Sequence, residues 1–135
     1  MSGSAAATDD RKGVVRCCQY GDTEQLQLLL LKHAWAAATF IDDDGCSLLH
    51  WAVVNGRTLL IQQIVHSVPA GSVSTLVNTA GGALREIPLQ WACRYPHLSE
   101  VVILLLQCGS DANYQNINGQ SSLHIGMKAH IPLLI

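Results

Sequence analysis

A recurring stretch constrains this chain more than any other feature. Residues Gly81 to Gly109, GGALREIPLQWACRYPHLSEVVILLLQCG, read as turn, short helix, break, longer helix and glycine stop. Pro88 suits the first turn of a helix, where its missing N–H costs nothing. Leu89 to Cys93 continues that helix and Tyr95-Pro96-His97 breaks it. Leu98 to Gln107 then predicts a second helix, with Ser99 near its start and Val101, Val102, Leu104 and Leu105 as its apolar face. Gly109 is the residue favoured just past a helix end. Two antiparallel helices this short cannot bury their apolar faces alone; they need copies of themselves on either side.

The copies are present. Gly45-Cys46-Ser47-Leu48-Leu49-His50-Trp51-Ala52 opens one unit and Gly119-Gln120-Ser121-Ser122-Leu123-His124 opens another. The key leucines stand at 49, 89 and 123, steps of 40 and 34. A degenerate first unit keeps the middle of the frame, where Cys17-Cys18-Gln19-Tyr20-Gly21-Asp22 aligns with Ala52 to Arg57 at a step of 35. A helix–turn–helix unit recurring near 33 residues, its first helix opened by Ser-x-x-His, is the ankyrin pattern. In Ser47…His50 and Ser121…His124 the hydroxyl and imidazole can bond across the first turn and fix helix entry. The sequence therefore predicts an all-α ankyrin-repeat solenoid of about four units, the last incomplete: about 13–41, 42–83, 84–115 and 116–135, behind a disordered lead-in at 1–12.

Within that frame Asp22 caps a helix over Thr23 to Lys32, and Leu48 to Val54 and Leu59 to Ser67 form the next pair. Asp42-Asp43-Asp44-Gly45 is a turn in which Gly45 can take positive φ. Ala34 to Phe40 departs from the usual inter-repeat loop, and Trp35 within it is read as packing. Residues 69–80 exceed the repeat period by about seven residues; Pro69-Ala70-Gly71-Ser72 reads as a loop extension on the side where such loops project. The chain stops on Leu133-Leu134-Ile135 where a polar cap is expected, which reads as a fragment, a splice product or a partner-covered end.

Composition excludes several functions. Nearly half of the residues are apolar and 13% are charged, which suits a packed stack. A net charge of −2 without a basic block argues against nucleic acid. No apolar run approaches the ~18 residues of a membrane span, and residues 1–12 lack the core of a signal peptide. Five cysteines without regular spacing read as reduced thiols. Cys17-Cys18 occupy the frame's small-residue pair and are read as packing rather than as acylation sites, whereas Cys46 is expected to be exposed in its turn. His33, His50, His66, His97, His124 and His130 form no metal-binding spacing, no acid completes a triad with Ser47 or Ser121, and no lysine follows Gly81-Gly82 as a phosphate loop requires. No catalytic residue, metal site or cofactor is assigned.

Trp51 and Trp91 are frame-equivalent, at a position beside the concave groove of such a stack. Two readings stand. Stacked on each other, with Asn55 one turn beyond Trp51, they form an aromatic wall with an amide, suited to proline rings and peptide backbone. Alternatively, both rings fill gaps between repeats.

The stretch Gly81-Gly82-x-Leu84-x-x-x-Pro88-Leu89-x-Trp91-Ala92-x-Arg94-x-x-His97-Leu98-Ser99-x-Val101-Val102 resembles a repeat of the ankyrin-bearing DHHC palmitoyltransferases, the huntingtin-interacting group. Cys17 to Gly21, Ser47 to Ala52 with Asn55, Ser121 to His124 and His130-Ile131-Pro132 are similar to other segments of that family in the same order, so the likeness covers roughly 14–135. It implies a domain on the cytosolic face of Golgi or vesicle membranes that recruits substrates through a short disordered segment ending in Gln-Pro. It also implies peptide-binding roles for Asn55 and Trp91, the indole packing on the proline and the amide bonding the peptide. The Asp-His-His-Cys segment and membrane helices are absent from these residues, so no acyl transfer is attributed to them and membrane association is expected only through a missing C-terminal part. Standing alone, the chain is expected in the cytoplasm. A stand-alone ankyrin adaptor or inhibitor with an unrelated partner is the alternative. Gln90 where the family has His, Ile87 where it has Thr and Pro96 in place of a glycine turn depart from its pattern.

Overall fold

A computed structural model describes residues 2–33 and 40–128. Helix α1 spans Ser2–Tyr20 and α2 Thr23–Lys32. Helices α3 (Leu48–Val54) and α4 (Thr58–His66) form the next pair. A single 3-10 turn, Ala70–Ser72, leads into a short α5, Val73–Val77. Helix α6 (Pro88–Cys93), a second 3-10 turn (Pro96–Leu98) and α7 (Ser99–Gln107) follow, and α8 spans Ser122–Lys128. The expected Trp35 packing and the final Leu133-Leu134-Ile135 lie outside the described residues.

The stack has an inner row and an outer row. The first helices α1, α3, α6 and α8 pack in sequence, each on the next, while α2 packs on α4 behind them. Small side chains allow the inner row to close up: Cys17, Ala52 and Ala92 share one frame position and are buried, with Gly126 at the same position in α8. Leu48, Leu49, Leu60, Ile61, Leu89, Val101, Val102 and Leu105 fill the space between the rows. Leu104, expected on that face, is half-buried beside it. The fully buried Leu and Ile side chains each contribute about 2 kcal/mol by area, offset in large part by chain ordering.

Among the described residues three fingers project from the inner row. Ile41 bridges Ser47 and Gly81 bridges Glu86, and Asn116 N–H donates to Gln120 O at 3.0 Å. Successive fingers are laced together, with Gly82 N–H donating to Asp44 O and Ile117 N–H to Leu84 O, both at 2.9 Å. Gly45 takes φ +82° and Gly109 φ +97°, as their turn and helix-stop positions require.

Two segments differ from expectation. Helix α1 begins at Ser2, in the stretch expected as a disordered lead-in; Ala5-Ala6-Ala7 are strong helix formers and no proline interrupts them. Pro69, Ala70 and Gly71 are exposed, as a loop extension predicts, but the residues after them turn inward as helix α5. Leu76 and Val77 are buried, and Asn78 clasps the following unit: its Nδ2 donates to Gly109 O (3.1 Å) and its Oδ1 accepts from Asp111 N–H (2.7 Å). The second half of the segment folds inward because its apolar pair has a core to enter.

Candidate peptide-binding site

The site is framed by the entry geometry of α3 and α6. At α3, Ser47 Oγ accepts from His50 N–H (3.4 Å), and Ser47 N–H donates to His50 Nδ1 (3.0 Å). With Nδ1 accepting, the proton sits on Nε2, which donates forward to Glu86 O (2.8 Å) in the next finger. At α6, Ile87 offers no hydroxyl, yet the pattern persists. Gln90 Oε1 accepts from Ile87 N–H (3.1 Å), and its Nε2 donates forward to Gln120 O (2.9 Å) and Tyr114 O (3.2 Å). A glutamine therefore performs the two-ended task of the imidazole, one acceptor backward and one donor forward. The departure at position 90 preserves the frame around Trp91.

The exchange has a pH consequence. Burial pushes the His50 pKa below 6.5, outweighing the Glu86 carbonyl and the nearby Asp42 and Glu86 carboxylates. The unfolded chain then takes up a proton more readily than the fold does, so stability is full above pH 6.5 and is lost as pH falls from there through the folded pKa. His50→Gln should copy Gln90, stay within about 1 kcal/mol of the parent at neutral pH, and melt with a weaker acid dependence. Melting curves at pH 7.5 and 5 for both proteins test this; parallel acid losses would refute it.

Trp91 follows Gln90 and is half-buried. Its ring meets His50 edge-on, centroids 4.8 Å apart at 68°, a favourable aromatic arrangement. Gly82 leaves room for the indole, since a Cβ there would lie 3.4 Å from Trp91 Cζ2. Trp91, Val54, Arg94 and Tyr95 line an open cavity of about 260 Å³. Asn55 follows Val54 as the exposed C-cap of α3, and its Nδ2 donates to Trp51 O at 2.8 Å. Trp91 and the end of α3 are thus brought to one place.

Trp51 does not line that cavity. Its Nε1 donates to Asp42 Oδ2 (3.0 Å), which ties the half-buried indole to the first finger. The two tryptophans make no ring contact with each other among the described residues; the imidazole of His50 is what Trp91 meets. The stacked wall is therefore corrected to a single indole flanked by Tyr95 and Arg94. Sequence reasoning assigned no role to either flank. Arg94 Nη2 binds Glu86 Oε2 at 2.5 Å, and Glu86, 2% exposed, also accepts from Asn116 Nδ2 at 2.8 Å. Nothing in a Leu-Arg-Glu-Ile string announces a buried carboxylate; only the Glu86-to-Arg94 spacing across the α6 entry hints at it.

Cys17, Cys18, Cys46 and Cys93 are buried packing groups, and Cys108 is half-buried. Cys17 and Cys18 are 3% and 0% exposed, and burial raises the Cys18 pKa to about 12. Cys46, expected on the surface, is 4% exposed; burial first, then Asp42 and Asp44, push its pKa up to about 11. Its turn is covered by the next finger, which a single unit's sequence cannot reveal. Ser47 Oγ lies 2.8 Å from His50 Nδ1, but the imidazole's other nitrogen faces a carbonyl in the core, so the pair is a helix cap and not a nucleophile.

The ankyrin-repeat family profile matches residues 86–117. The palmitoyltransferase ZDHHC13 of Homo sapiens is 37% identical over 112 residues, 83% of this chain and 17% of that protein. The palmitoyltransferase Hip14 of Drosophila melanogaster is 32% identical over 112 residues, again 83% of this chain and 16% of its own. The palmitoyltransferase ZDHHC17 of Danio rerio is 32% identical over 111 residues, 82% of this chain and 16% of its own. The chain thus spans about a sixth of the length of these curated relatives. Among the described residues no helix is long and apolar enough to cross a membrane.

Proposed function

From the premise that this chain belongs to the ankyrin-repeat domains of the DHHC palmitoyltransferase group, we propose that it docks substrate proteins for S-acyl transfer carried out elsewhere. That the domain binds protein follows from the repeat fold; docking of substrates is the finer reading. The observation that carries it is the half-buried Trp91 at an open cavity that Val54, the residue before Asn55, also lines. An indole face with an amide next to it accepts a proline ring and a peptide backbone together. The segment bound is a short disordered one ending in Gln-Pro. The 135 residues hold no Asp-His-His-Cys segment, so the transfer chemistry belongs to another part of such an enzyme, at the cytosolic face of Golgi or vesicle membranes.

The test is a titration with a fluorescent peptide carrying Val-Val-x-x-Gln-Pro. Binding is expected near micromolar, about −8 kcal/mol. Trp91→Ala should weaken it by about thirtyfold or more, and proline-to-alanine in the peptide similarly. Asn55→Ala should cost about tenfold, one charge-free hydrogen-bonding group. A folded domain that ignores the peptide overturns this reading and leaves an ankyrin adaptor with an unrelated partner.

A further inference from the structure

A second cavity, of about 480 Å³, lies at the first finger. One wall is the Lys12, Val15, Arg16 and Gln19 stripe of α1 with Arg11 beside it; the other is Phe40, Ile41, Asp42 and Asp43. The stripe follows helical spacing, so its two cations and the valine share one face. Lys12 and Arg16 are exposed and make no ion pair or hydrogen bond among the described residues. Phe40 is buried at 6% exposure, while Ile41 is 44% exposed, giving an apolar floor with an open edge.

The carboxylates opposite offset that wall only in part. Asp42 is fully engaged: Oδ1 accepts from Asp44 N–H (2.9 Å) and Cys46 N–H (2.8 Å), and Oδ2 from Trp51 Nε1 (3.0 Å). Both aspartates keep their charge, so the lining sets three cations, Arg11, Lys12 and Arg16, against two carboxylates, and the excess is positive. The same Asp42 links this cavity through Trp51 to α3, whose far end reaches the Trp91 cavity. The two openings therefore belong to one row of inner helices and fingers.

We infer that this cavity is a second subsite for the docked segment, and that it takes an acidic side chain from residues flanking the Gln-Pro motif. The inference rests on the docking reading. It selects among substrates: the motif anchors at Trp91, and acidic residues a few positions away add affinity at Lys12 and Arg16. Charge complementarity names the occupant, because the domain as a whole is acidic at −2 and would otherwise repel such a segment.

The experiment uses three fluorescent peptides: the Val-Val-x-x-Gln-Pro core with neutral flanks, the core with three glutamates after a short spacer on its N-terminal side, and the same on its C-terminal side. One acidic peptide is expected to bind about threefold to tenfold more tightly than the neutral one at low salt. The gain should shrink at 0.3 M salt as screening takes hold, and disappear in the K12E/R16E variant, whose melting should match the parent because both side chains are solvated. Equal binding of all three peptides overturns the subsite and leaves the docking reading intact. A gain that persists in the K12E/R16E variant also overturns it. Binding of none of the three overturns both.

Discussion

Gly81→Ala should cost this domain about 3 kcal/mol or more, measured by urea unfolding. A Cβ at Gly81 would lie 2.2 Å from Gly45 O, 2.6 Å from Gly45 C and 2.9 Å from Cys46 Cα. These are backbone atoms of the neighbouring finger, so no rotamer change relieves the clash. The fingers would have to part, and with them the bond from Gly82 N–H to Asp44 O. Gly82 provides the control. It has φ +80°, and a Cβ there would meet only side chains, the Trp91 ring edge at 3.4 Å and Cys46 Sγ at 3.8 Å. Gly82→Ala should therefore cost about 1–2 kcal/mol of left-handed strain. The reverse order of the two variants would show that finger contact is not what the glycine pair protects.

The second large effect is expected at Arg94. Removing its side chain leaves Glu86, 2% exposed, with Asn116 as its remaining side-chain partner. Breaking one side of a buried ion pair typically costs 3–5 kcal/mol. Arg94 is itself 36% exposed, so Arg94→Ala should fall at the lower end, about 3 kcal/mol, or roughly 10 °C in melting temperature. Combining it with Glu86→Gln should restore part of the loss, because the glutamine carries no charge to strand and still accepts from Asn116. Additive losses in the double variant would mean that the two groups act separately.

The repeat frame was legible because its signals are local and recur. Asp22 caps α2 by accepting from Gln25 N–H at 3.0 Å, Pro88 opens α6, and Ser47 and Ser121 each bond their histidine as the spacing predicts. The site was legible only in part. Of the residues lining the Trp91 cavity, Trp91 itself was singled out, and Asn55 next to the lining residue Val54. Val54, Arg94 and Tyr95 did not, because a cavity between units depends on two helices 40 positions apart in frame. Cys46 failed for a related reason: it looks exposed within its own unit and is covered by the next. The Trp51–Trp91 stack failed because frame equivalence fixes where a side chain starts, while Asp42 decides where the Trp51 ring goes.

His50 and Gln90 reach into the following finger by the same route, yet one finds Glu86 and the other Gln120. Both acceptors are main-chain oxygens, so the joint between units is indifferent to which amino acid stands there. A unit duplicated or shuffled into this array meets a partner for its forward donor whatever its own finger sequence. Finger side chains can then drift toward new ligands while the joints hold, and a family of such arrays can diversify in what it recognises without relearning how to assemble.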